Sequence, residues 1–517
     1  MFTIHYTRAK LFSLLLSVLL VATMMAGCSR PPAAPTSTPE IPTMTPTTEL
    51  VATTVPEVPI AEPVSADAPA LAGQWQGKIA IAGTALEIIV ALAEQDGAWS
   101  GTIDVPAQGA AGIPLHDITV DGDVVRFEML TGARLAVFDG QAQPDGSISG
   151  AFSQSGLDGT FELAQPQEPA AAEPLPYVEQ EITFQNGDIT LAGTLTLPQG
   201  GGPFPAVILL SGSGQQDRDE ALAIVPGYRP FQEIADTLTR QGLAVLRYDD
   251  RGVGGSTAGD LAAVTSADFA DDAEAAFDFL QGRADIDGQQ IGFLGHSEGG
   301  ILAPMVAARN PDVAFVITMA GTAVDGYETV IKQVERLALA SGASPAEAAA
   351  AVEKQRAVLD LVLAQDWDGL EVMINTIIEE QIAAVPAEQI AAMGGKDAAV
   401  KQQVAAQLQA LQSPWYQYFM SHDPGQDWAQ ITAPPVLGLF GGNDAQVDAE
   451  QNSAALQAAL ESAGNTDVTI QVLPTANHLF QDATTGGVEE YATLPPQLMP
   501  EFLEAISQWL LARVQLP

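Results

Sequence analysis

Short apolar runs alternate with stretches of helical periodicity over residues 178–517. The runs occupy residues 206–210, 290–294, 313–319, 435–440 and 468–472. Continuous apolar runs of this length are typical of strands that are buried on both faces. Between them, apolar residues recur at helical spacings. The alternation predicts an α/β fold with a mostly parallel sheet and helices on both faces, preceded by a hairpin over 181–197 that turns at Asn186 and Gly187.

Residues 71–165 follow a different pattern, with short alternating runs such as 77–81 and 86–90. Asp-Gly pairs, which favour tight hairpin turns, occur at 96–97, 121–122, 139–140, 145–146 and 158–159. We predict a small all-β domain, a meander that closes into a sandwich or a barrel. Trp75 and Trp99 are expected to be core residues, because large aromatic side chains dominate small cores.

One pentapeptide, Gly295-His296-Ser297-Glu298-Gly299, lies between the apolar run 290–294 and the helix-like stretch 300–308. A G-x-S-x-G motif at a sharp strand-to-helix turn holds its serine oxygen clear of the backbone. The flanking strand and helix, more than the motif itself, make this interpretation specific. Ser297 is therefore the candidate nucleophile.

A serine nucleophile needs a histidine base that a third group orients. The chain has five histidines. His5 lies in the N-terminal segment, His116 lies in the β-rich region, and the turn is expected to direct His296 away from the site. His478 follows the run 468–472 and precedes the last helical stretch, where an α/β-hydrolase carries its base. His422 ends a helical region and is interpreted as a lid or capping residue.

The acid of such a triad is expected between the serine and the histidine, at the end of another strand. Asp444 fits, because it lies in the turn after the run 435–440. Asp448 is the rival, but it begins the next helix and is interpreted as an N-terminal cap. The order Ser297, Asp444, His478 is that of the α/β-hydrolases and differs from the chymotrypsin and subtilisin orders.

An attacked acyl carbon develops an oxyanion, which requires two preorganised N–H donors. We predict the backbone N–H of Glu298 as one donor, since it begins the helix after the turn. The second is expected in the glycine-rich loop 211–215, which follows the run 206–210. Ser213 is the preferred donor there and Gly214 is the alternative.

Segments 211–219, 246–256, 295–299, 413–419 and 477–481 together resemble the EstD-type esterases. These are prolyl-oligopeptidase-related α/β-hydrolases that are also described as serine aminopeptidase-like. The resemblance covers residues 178–517 and implies an α/β-hydrolase fold and carboxylic ester hydrolysis without a cofactor. It also maps the triad onto Ser297, Asp444 and His478.

The resemblance has one departure and one ambiguous element. Ser211 stands where many α/β-hydrolases carry a histidine before the oxyanion glycine. Asp217, Arg218 and Asp219 match the family motif, and they are interpreted either as a structural ion-pair cluster or as a substrate contact.

The longest interruption of the strand and helix pattern separates the runs 313–319 and 435–440. We predict a helical insertion over residues 325–428 that caps the triad. The alternative is that its apolar residues only pack against each other, although a cap needs both an inner wall and a core. Apolar residues at helical spacing are Leu359, Val362, Leu363, Trp367, Leu370, Met373, Ile374 and Ile377, and the expected wall is Trp415, Tyr416, Tyr418, Phe419 and Met420.

The net charge is −44, from 20 basic and 64 acidic residues. Such a surface repels phosphate backbones, so nucleic-acid binding is not expected. No His, Cys or carboxylate spacing is typical of a metal site, and no glycine-rich phosphate loop precedes a lysine. We therefore predict no metal, no cofactor and no nucleic-acid partner. The sequence predicts no particular oligomeric state.

The N-terminal region is typical of an exported protein. Residues 1–27 carry Arg8 and Lys10 before an apolar stretch, and 25–28 resembles a bacterial lipobox that ends at Cys28, the single cysteine. Met25 stands where leucine is usual, so an uncleaved signal anchor is the alternative. Residues 28–70 are rich in Pro and Thr and are expected to be an extended tether. We predict a lipoprotein of the bacterial cell envelope, anchored to the membrane by lipid at Cys28.

These patterns predict a signal peptide over 1–27, a linker over 28–70, the β domain over 71–165, a second linker over 166–177 and the hydrolase domain over 178–517. The predicted function is that of a serine esterase with a small-molecule ester substrate. A serine peptidase with the same triad and a non-enzymatic envelope binding protein are the alternatives.

Overall fold

A computed structural model describes two parts of the chain, which belong to separate compact units, and the chain passes from one unit to the other between Pro174 and Leu175. The described residues are 71–165 and 174–517, without 82–83, 96, 106–109, 132–133, 155–156, 384, 388–389 and 391–392. The predicted signal peptide, Cys28 and the Pro/Thr-rich linker lie outside these residues, as does most of the second linker. Within the described ranges, no helix has the length and apolarity that crossing a membrane requires.

The first unit is a closed antiparallel barrel of eight strands within residues 71–165 as described. Each strand pairs with the next along the chain, and β1 closes the barrel by pairing with β8. The strands are β1 Gly73–Ile81, β2 Thr84–Gln95, β3 Ala98–Val105, β4 Ala110–Asp121, β5 Val124–Thr131, β6 Arg134–Ala142, β7 Ile148–Gln154 and β8 Leu157–Ala164.

Aromatic side chains fill the barrel. Phe138 stacks on Phe127 with ring centres 4.6 Å apart and meets Phe161 edge-on at 5.3 Å. Trp75 is fully buried, and its indole N–H donates to the Leu71 carbonyl at 3.0 Å. Trp99 is partly buried against the same core. Trp75 is therefore a core residue, as predicted, whereas Trp99 packs against the core from a partly exposed position.

Two of the predicted Asp-Gly turns are wrong. Asp139-Gly140 lies inside β6, and Asp158-Gly159 lies inside β8. A Cβ on Gly140 would lie 2.6 Å from the Phe161 ring, and one on Gly159 would lie 2.2 Å from the Ala80 carbonyl oxygen. These glycines therefore allow close packing inside the barrel wall rather than a change of chain direction.

The second unit is built on a sheet of eight strands, counted over the described residues from 174 onwards. The strand order is β16-β15-β14-β13-β11-β12-β10-β9. The six strands β11 to β16 are parallel to one another. The other two strands, β9 and β10, form an antiparallel hairpin at one edge of the sheet, and β10 pairs antiparallel with β12. The strands are β9 Tyr177–Asn186, β10 Ile189–Pro198, β11 Phe204–Leu210, β12 Ala244–Tyr248, β13 Ile286–His296, β14 Val316–Met319, β15 Val436–Gly441 and β16 Val468–Leu473.

Helices cover both faces of this sheet. Val207 and Leu209 of β11 pack towards α1 and α12, while Ile208 packs towards α2, α3 and α10. Successive strand residues point to opposite faces, which explains the continuous apolar run at β11. The fold is that of an α/β-hydrolase. The helices around the sheet are α1 Pro230–Arg240, α2 Ser266–Gln281, α3 Gly299–Ala307, α10 Ala449–Ala463, α11 Val488–Tyr491 and α12 Pro500–Leu511.

Inserted helices lie between β14 and β15, where the interruption of the pattern predicts them. They bury a hydrophobic core of their own, and Ile301 of α3 belongs to that core. Leu363 departs from the predicted apolar stripe, since it is 52% exposed. The inserted helices are α4 Gly326–Ala340, α5 Pro345–Leu363, α6 Trp367–Ile382, α7 Lys396–Leu411, α8 Pro414–Ser421 and α9 Pro424–Trp428.

Candidate active site

Ser297 lies at a strained turn between β13 and α3. Its φ is +52°, in the left-handed region that residues other than glycine rarely occupy. Its backbone N–H donates to the Met319 carbonyl at 2.9 Å, which ties the turn to the end of β14. A Cβ on Gly295 would lie 2.0 Å from the Gly299 carbonyl oxygen, and one on Gly299 would lie 2.1 Å from the Leu210 carbonyl oxygen. The flanking glycines are therefore required for this turn to close.

Asp444 and His478 are brought together at the carboxyl ends of neighbouring strands. The His478 Nδ1 lies 2.9 Å from the Asp444 Oδ2, and both side chains are buried. The other carboxylate oxygen, Oδ1, accepts the backbone N–H groups of Gln446 and Val447 at 2.7 and 2.9 Å. Because Asp444 accepts at Nδ1, the imidazole presents Nε2 as its free base.

Ser297 and His478 line the same pocket. No hydrogen bond joins the Ser297 hydroxyl to the His478 ring among the bonds of the described residues. Catalytic hydrogen bonds of this kind are often long without substrate and shorten when substrate binds. The structure therefore brings Ser297 and His478 into one pocket, and their action as a triad with Asp444 stays a prediction.

The two rival residues have other contacts. Asp448 caps α10 by accepting the Gln451 N–H at 2.8 Å, and it pairs with Arg336 at 3.4 Å. His422 contacts Asp427 at 2.7 Å through Nε2 and stacks on Tyr418. Asp448 thus serves as a helix cap, as its sequence position indicates, and His422 bonds within the inserted helices.

Both predicted oxyanion donors lie beside the candidate nucleophile. Ser213 and Glu298 line the pocket together with Ser297. Glu298 lies at the N-terminus of α3, where the first backbone N–H groups have no partner within a helix. The loop approaches closely, because a Cβ on Gly212 would lie 3.4 Å from the Ser297 Cβ. Gly214 has φ +96°, which a side chain would disfavour.

Asp250 anchors this loop. Its carboxylate accepts the Ser211 hydroxyl at 3.1 Å and the Gln216 N–H at 2.9 Å. Burial raises the pKa of Asp250 well above its usual range, against the effect of these two hydrogen bonds. The serine that replaces the usual histidine therefore fixes the loop through a buried carboxyl group.

The motif residues 217–219 have structural contacts. Arg218 pairs with the buried Asp249 at 2.8 Å, and Asp219 pairs with the buried Arg247. Asp217 accepts backbone N–H groups of its own turn. None of the three is part of the pocket lining formed by the described residues. Of the two interpretations from the sequence, the structure supports the ion-pair cluster.

The sequence patterns miss two residues of the pocket lining, Glu220 and His296. Their side chains lie 2.8 Å apart, and the His296 Nε2 lies 3.0 Å from the His478 carbonyl oxygen. The expectation that the turn directs His296 away from the site is therefore wrong, because its ring centre lies 4.9 Å from that of His478. A sequence signal for Glu220 is absent, since it follows three other charged residues and looks like part of the same cluster.

The side chain of Glu298 connects the turn to the inserted helices. It is buried and accepts the Ser266 hydroxyl at 2.5 Å and the Trp415 indole N–H at 2.7 Å. Burial raises the pKa of Glu298 above its usual value. Trp415 in turn stacks on Phe419 with 1° between the ring planes.

The pocket has a volume of about 440 Å³ and a largely apolar wall. Trp415 and Phe419 belong to this wall as predicted. Tyr416 and Met420 instead pack in the core of the inserted helices, and Tyr418 stacks on His422. Other apolar residues of the wall are Leu222, Ile224, Tyr228, Ile301, Val447, Leu479, Val488 and Tyr491. In the described part of the chain, His, Cys, Asp and Glu side chains form no group of three that could hold a metal ion.

Comparisons with known proteins relate the chain to serine aminopeptidase-like and esterase sequences. Residues 219–361 match the family model described as serine aminopeptidase, S33. The chain is 27% identical to Esterase EstD of Thermotoga maritima over 338 residues, 65% of this chain and 67% of that protein. The resemblance to the EstD-type esterases is confirmed.

Other similarities are shorter or more distant. An uncharacterized protein of Mycobacterium tuberculosis is 29% identical over 149 residues, which cover 29% of this chain and 48% of that protein. The chain thus matches about half the length of this relative. A solved esterase structure from Pyrococcus furiosus has a TM-score of 0.41 and 14% identity, and covers 66% of this chain and 93% of its own.

Proposed function

We propose that this chain is a serine esterase that hydrolyses small-molecule carboxylic esters through an acyl-enzyme intermediate. The observation that carries the proposal is the buried pair of Asp444 and His478, 2.9 Å apart, in one pocket with a serine held at φ +52°. The similarity to Esterase EstD supports ester hydrolysis as the reaction class. No cofactor is required for this chemistry.

In the proposed mechanism, the Ser297 Oγ attacks the ester carbonyl while the His478 Nε2 takes its proton. Asp444 orients the ring and stabilises the imidazolium. The backbone N–H groups of Ser213 and Glu298 hold the oxyanion. The imidazolium then protonates the leaving alcohol, and His478 activates a water that releases the acid from Ser297.

The inserted helices act as a cap in this proposal. Trp415 and Phe419 of α8 line the pocket that also contains Ser297. The hydrogen bond from Trp415 to Glu298 ties α8 to the turn beside the nucleophile. Because the wall is mainly apolar and the pocket small, short to medium acyl chains are the expected substrates.

Labelling with a fluorophosphonate followed by peptide mapping tests the proposal. The expected result is a single adduct on Ser297, which His422→Gln retains and Ser297→Ala loses. An adduct that persists in Ser297→Ala, or no adduct in the wild type, would contradict the assignment. Circular dichroism of each variant shows whether the fold is intact.

A serine peptidase is the second candidate. The match to the serine aminopeptidase model favours it, as does Glu220, a pocket carboxylate whose Oε2 has no partner among the described residues. Such a carboxylate could hold a substrate amine. We expect p-nitrophenyl esters to be cleaved with a far higher kcat/KM than aminoacyl or prolyl anilides. If the anilides are the better substrates, the peptidase replaces the esterase, and Glu220 is the residue to change.

We also propose, from the sequence alone, that the chain is exported and anchored to the membrane of a bacterial cell envelope by lipid at Cys28. Residues 28–70 would then be the tether, followed by the β domain over 71–165, the linker over 166–177 and the hydrolase domain over 178–517. Membrane fractionation and intact mass test this. Cys28→Ser should block processing or release the protein, whereas a mass that retains residues 1–27 would favour a signal anchor.

A further inference from the structure

Glu220 joins two parts of the site through one oxygen atom. It lies between β11 and α1, with 3% of its surface exposed and φ +53°. Its Oε1 accepts the backbone N–H of Gly212 at 2.6 Å and lies 2.8 Å from the His296 Nδ1. The carboxylate thus connects the loop that carries Ser213 to the last residue of β13.

His296 continues this connection to the base. Its Nε2 lies 3.0 Å from the carbonyl oxygen of His478. A carbonyl oxygen can only accept a hydrogen bond, so Nε2 carries a proton. The carboxylate at Nδ1 is also an acceptor, so an ionised Glu220 requires a second proton on that ring. With Glu220 ionised, these contacts fit an imidazolium between a carboxylate and the main chain of His478.

We propose that Glu220 and His296 are positioning residues that fix loop 211–215, which carries the predicted oxyanion donor, relative to the main chain of His478. In this proposal His296 acts as the imidazolium. The inference rests on the proposed function, because it assigns the pair to the support of the oxyanion site and the base. Neither side chain touches the reacting atoms in this scheme.

The location of the pair distinguishes it from the other buried ion pairs. Arg218 and Asp249 lie 2.8 Å apart but outside the pocket lining. Glu220 and His296 both line the pocket, and the ring of His296 lies 4.9 Å from that of His478. A displacement of about 1 Å at such a position can reduce turnover by about a hundredfold. The pair is therefore placed to affect catalysis as well as folding.

The charges around His296 favour its protonated form. The titratable groups that face its ring are Glu220, His478 and Asp444. Burial by itself lowers the pKa of His296, but the charge and hydrogen bond of Glu220, with the His478 carbonyl, raise it above the ordinary value. Because the pKa of His296 is raised, the stabilisation that its charge provides is complete below the ordinary histidine pKa. This stabilisation is lost as the pH rises through the raised pKa. The pH profile of kcat should therefore fall on its alkaline side as His296 loses its proton.

Three variants separate positioning from simple packing. Glu220→Gln keeps an acceptor for Gly212 but removes the charge, so it should lower the pKa of His296 and move the alkaline limb of kcat down by about one pH unit or more. His296→Gln keeps a donor near the His478 carbonyl and should abolish the limb. His296→Asn keeps only the donor towards Glu220, and we expect it to lower kcat by about ten- to hundredfold with a smaller change in KM.

His422→Gln is the matched control, since His422 bonds to Asp427 outside this pocket. The pH profile of kcat in His422→Gln should keep the alkaline limb of the wild type. An alkaline limb that is the same in folded Glu220→Gln and His296→Gln as in the wild type would overturn the proposal.

Nitrogen-15 NMR of the histidine rings tests the charge state in the wild type, without a variant and without substrate. The expected result is that both ring nitrogens of His296 are protonated near neutral pH. A single protonated nitrogen would overturn the imidazolium. Fluorophosphonate labelling of wild-type Ser297 reports the proposed function separately, so a failure of the triad and a failure of the pair give different results.

Discussion

The sheet and the inserted helices contribute to one pocket in different ways. Ser297, Asp444 and His478 each follow a strand of the sheet closely, and Ser297 and Asp444 are held by backbone hydrogen bonds. The wall from the insertion comes from α8, a helix of eight residues that reaches the turn through the side chain of Trp415. The triad candidates thus lie at the ends of sheet strands, while a helix of the insertion supplies part of the pocket wall.

The largest expected effect comes from the sheet side. Ser297→Ala should lower turnover by at least about a thousandfold, because the attacking oxygen is lost. Hydrolysis of a p-nitrophenyl ester measures it, with thermal unfolding as a control for the fold. Turnover within tenfold of the wild type would mean that another nucleophile is used.

The two aspartates near the end of β15 sharpen the comparison further. Asp444→Asn should lower kcat by about a thousandfold or more, because His478 loses the acceptor that orients its ring. Asp448→Asn should leave kcat close to the wild type, since Asp448 caps a helix. The two kcat values, measured side by side, decide which carboxylate serves the base. The opposite result would move the acid to Asp448.

A smaller effect is expected from the wall. Trp415→Phe keeps an aromatic ring but loses the hydrogen bond to Glu298, and we expect kcat/KM to change by about three- to tenfold, with a shift in acyl-chain preference. A series of p-nitrophenyl esters of increasing chain length measures this. Trp367→Phe is the control, because Trp367 packs within the inserted helices outside the pocket. Equal chain-length profiles for both variants would argue against α8 as a wall of the site.

The smallest effect concerns the pH dependence of stability. Burial raises the pKa of Glu298 above its usual 4.5, so its contribution to stability is greatest below that value and is lost as the pH rises through the raised pKa. Relative to Glu298→Gln, which cannot titrate, the wild type should lose about 2 °C or more in Tm between acidic and neutral pH. A Tm difference that does not vary with pH would mean that Glu298 titrates normally.

The α/β alternation and the places of Ser297, Asp444 and His478 after strands could be predicted from the sequence, because each depends on local order. Each of the three residues is recognised by the elements next to it in the chain. The serine lies between a strand and a helix, the aspartate lies in the turn after a strand, and the histidine precedes the last helix. The choice of Asp444 over Asp448 follows the same logic, since a residue that begins a helix is already used as its cap.

The barrel shows where local order misleads. Asp145-Gly146 does form a turn, and Gly146 has φ +84°. Asp139-Gly140 has the same two residues but lies in a strand, because the Phe161 ring occupies the space beside the glycine. The dipeptide is identical, and the neighbour across the barrel determines which structure it adopts.

The sequence by itself determined that Ser297, Asp444 and His478 each follow a strand, because buried strands are visible as apolar runs. Only the tertiary structure decided which charged residues face the pocket. Glu220 and Asp219 are adjacent in the chain, yet Glu220 contacts His296 while Asp219 pairs with Arg247. Burial, and the partner that compensates each buried charge, depend on residues far away in the sequence, and no local pattern contains them.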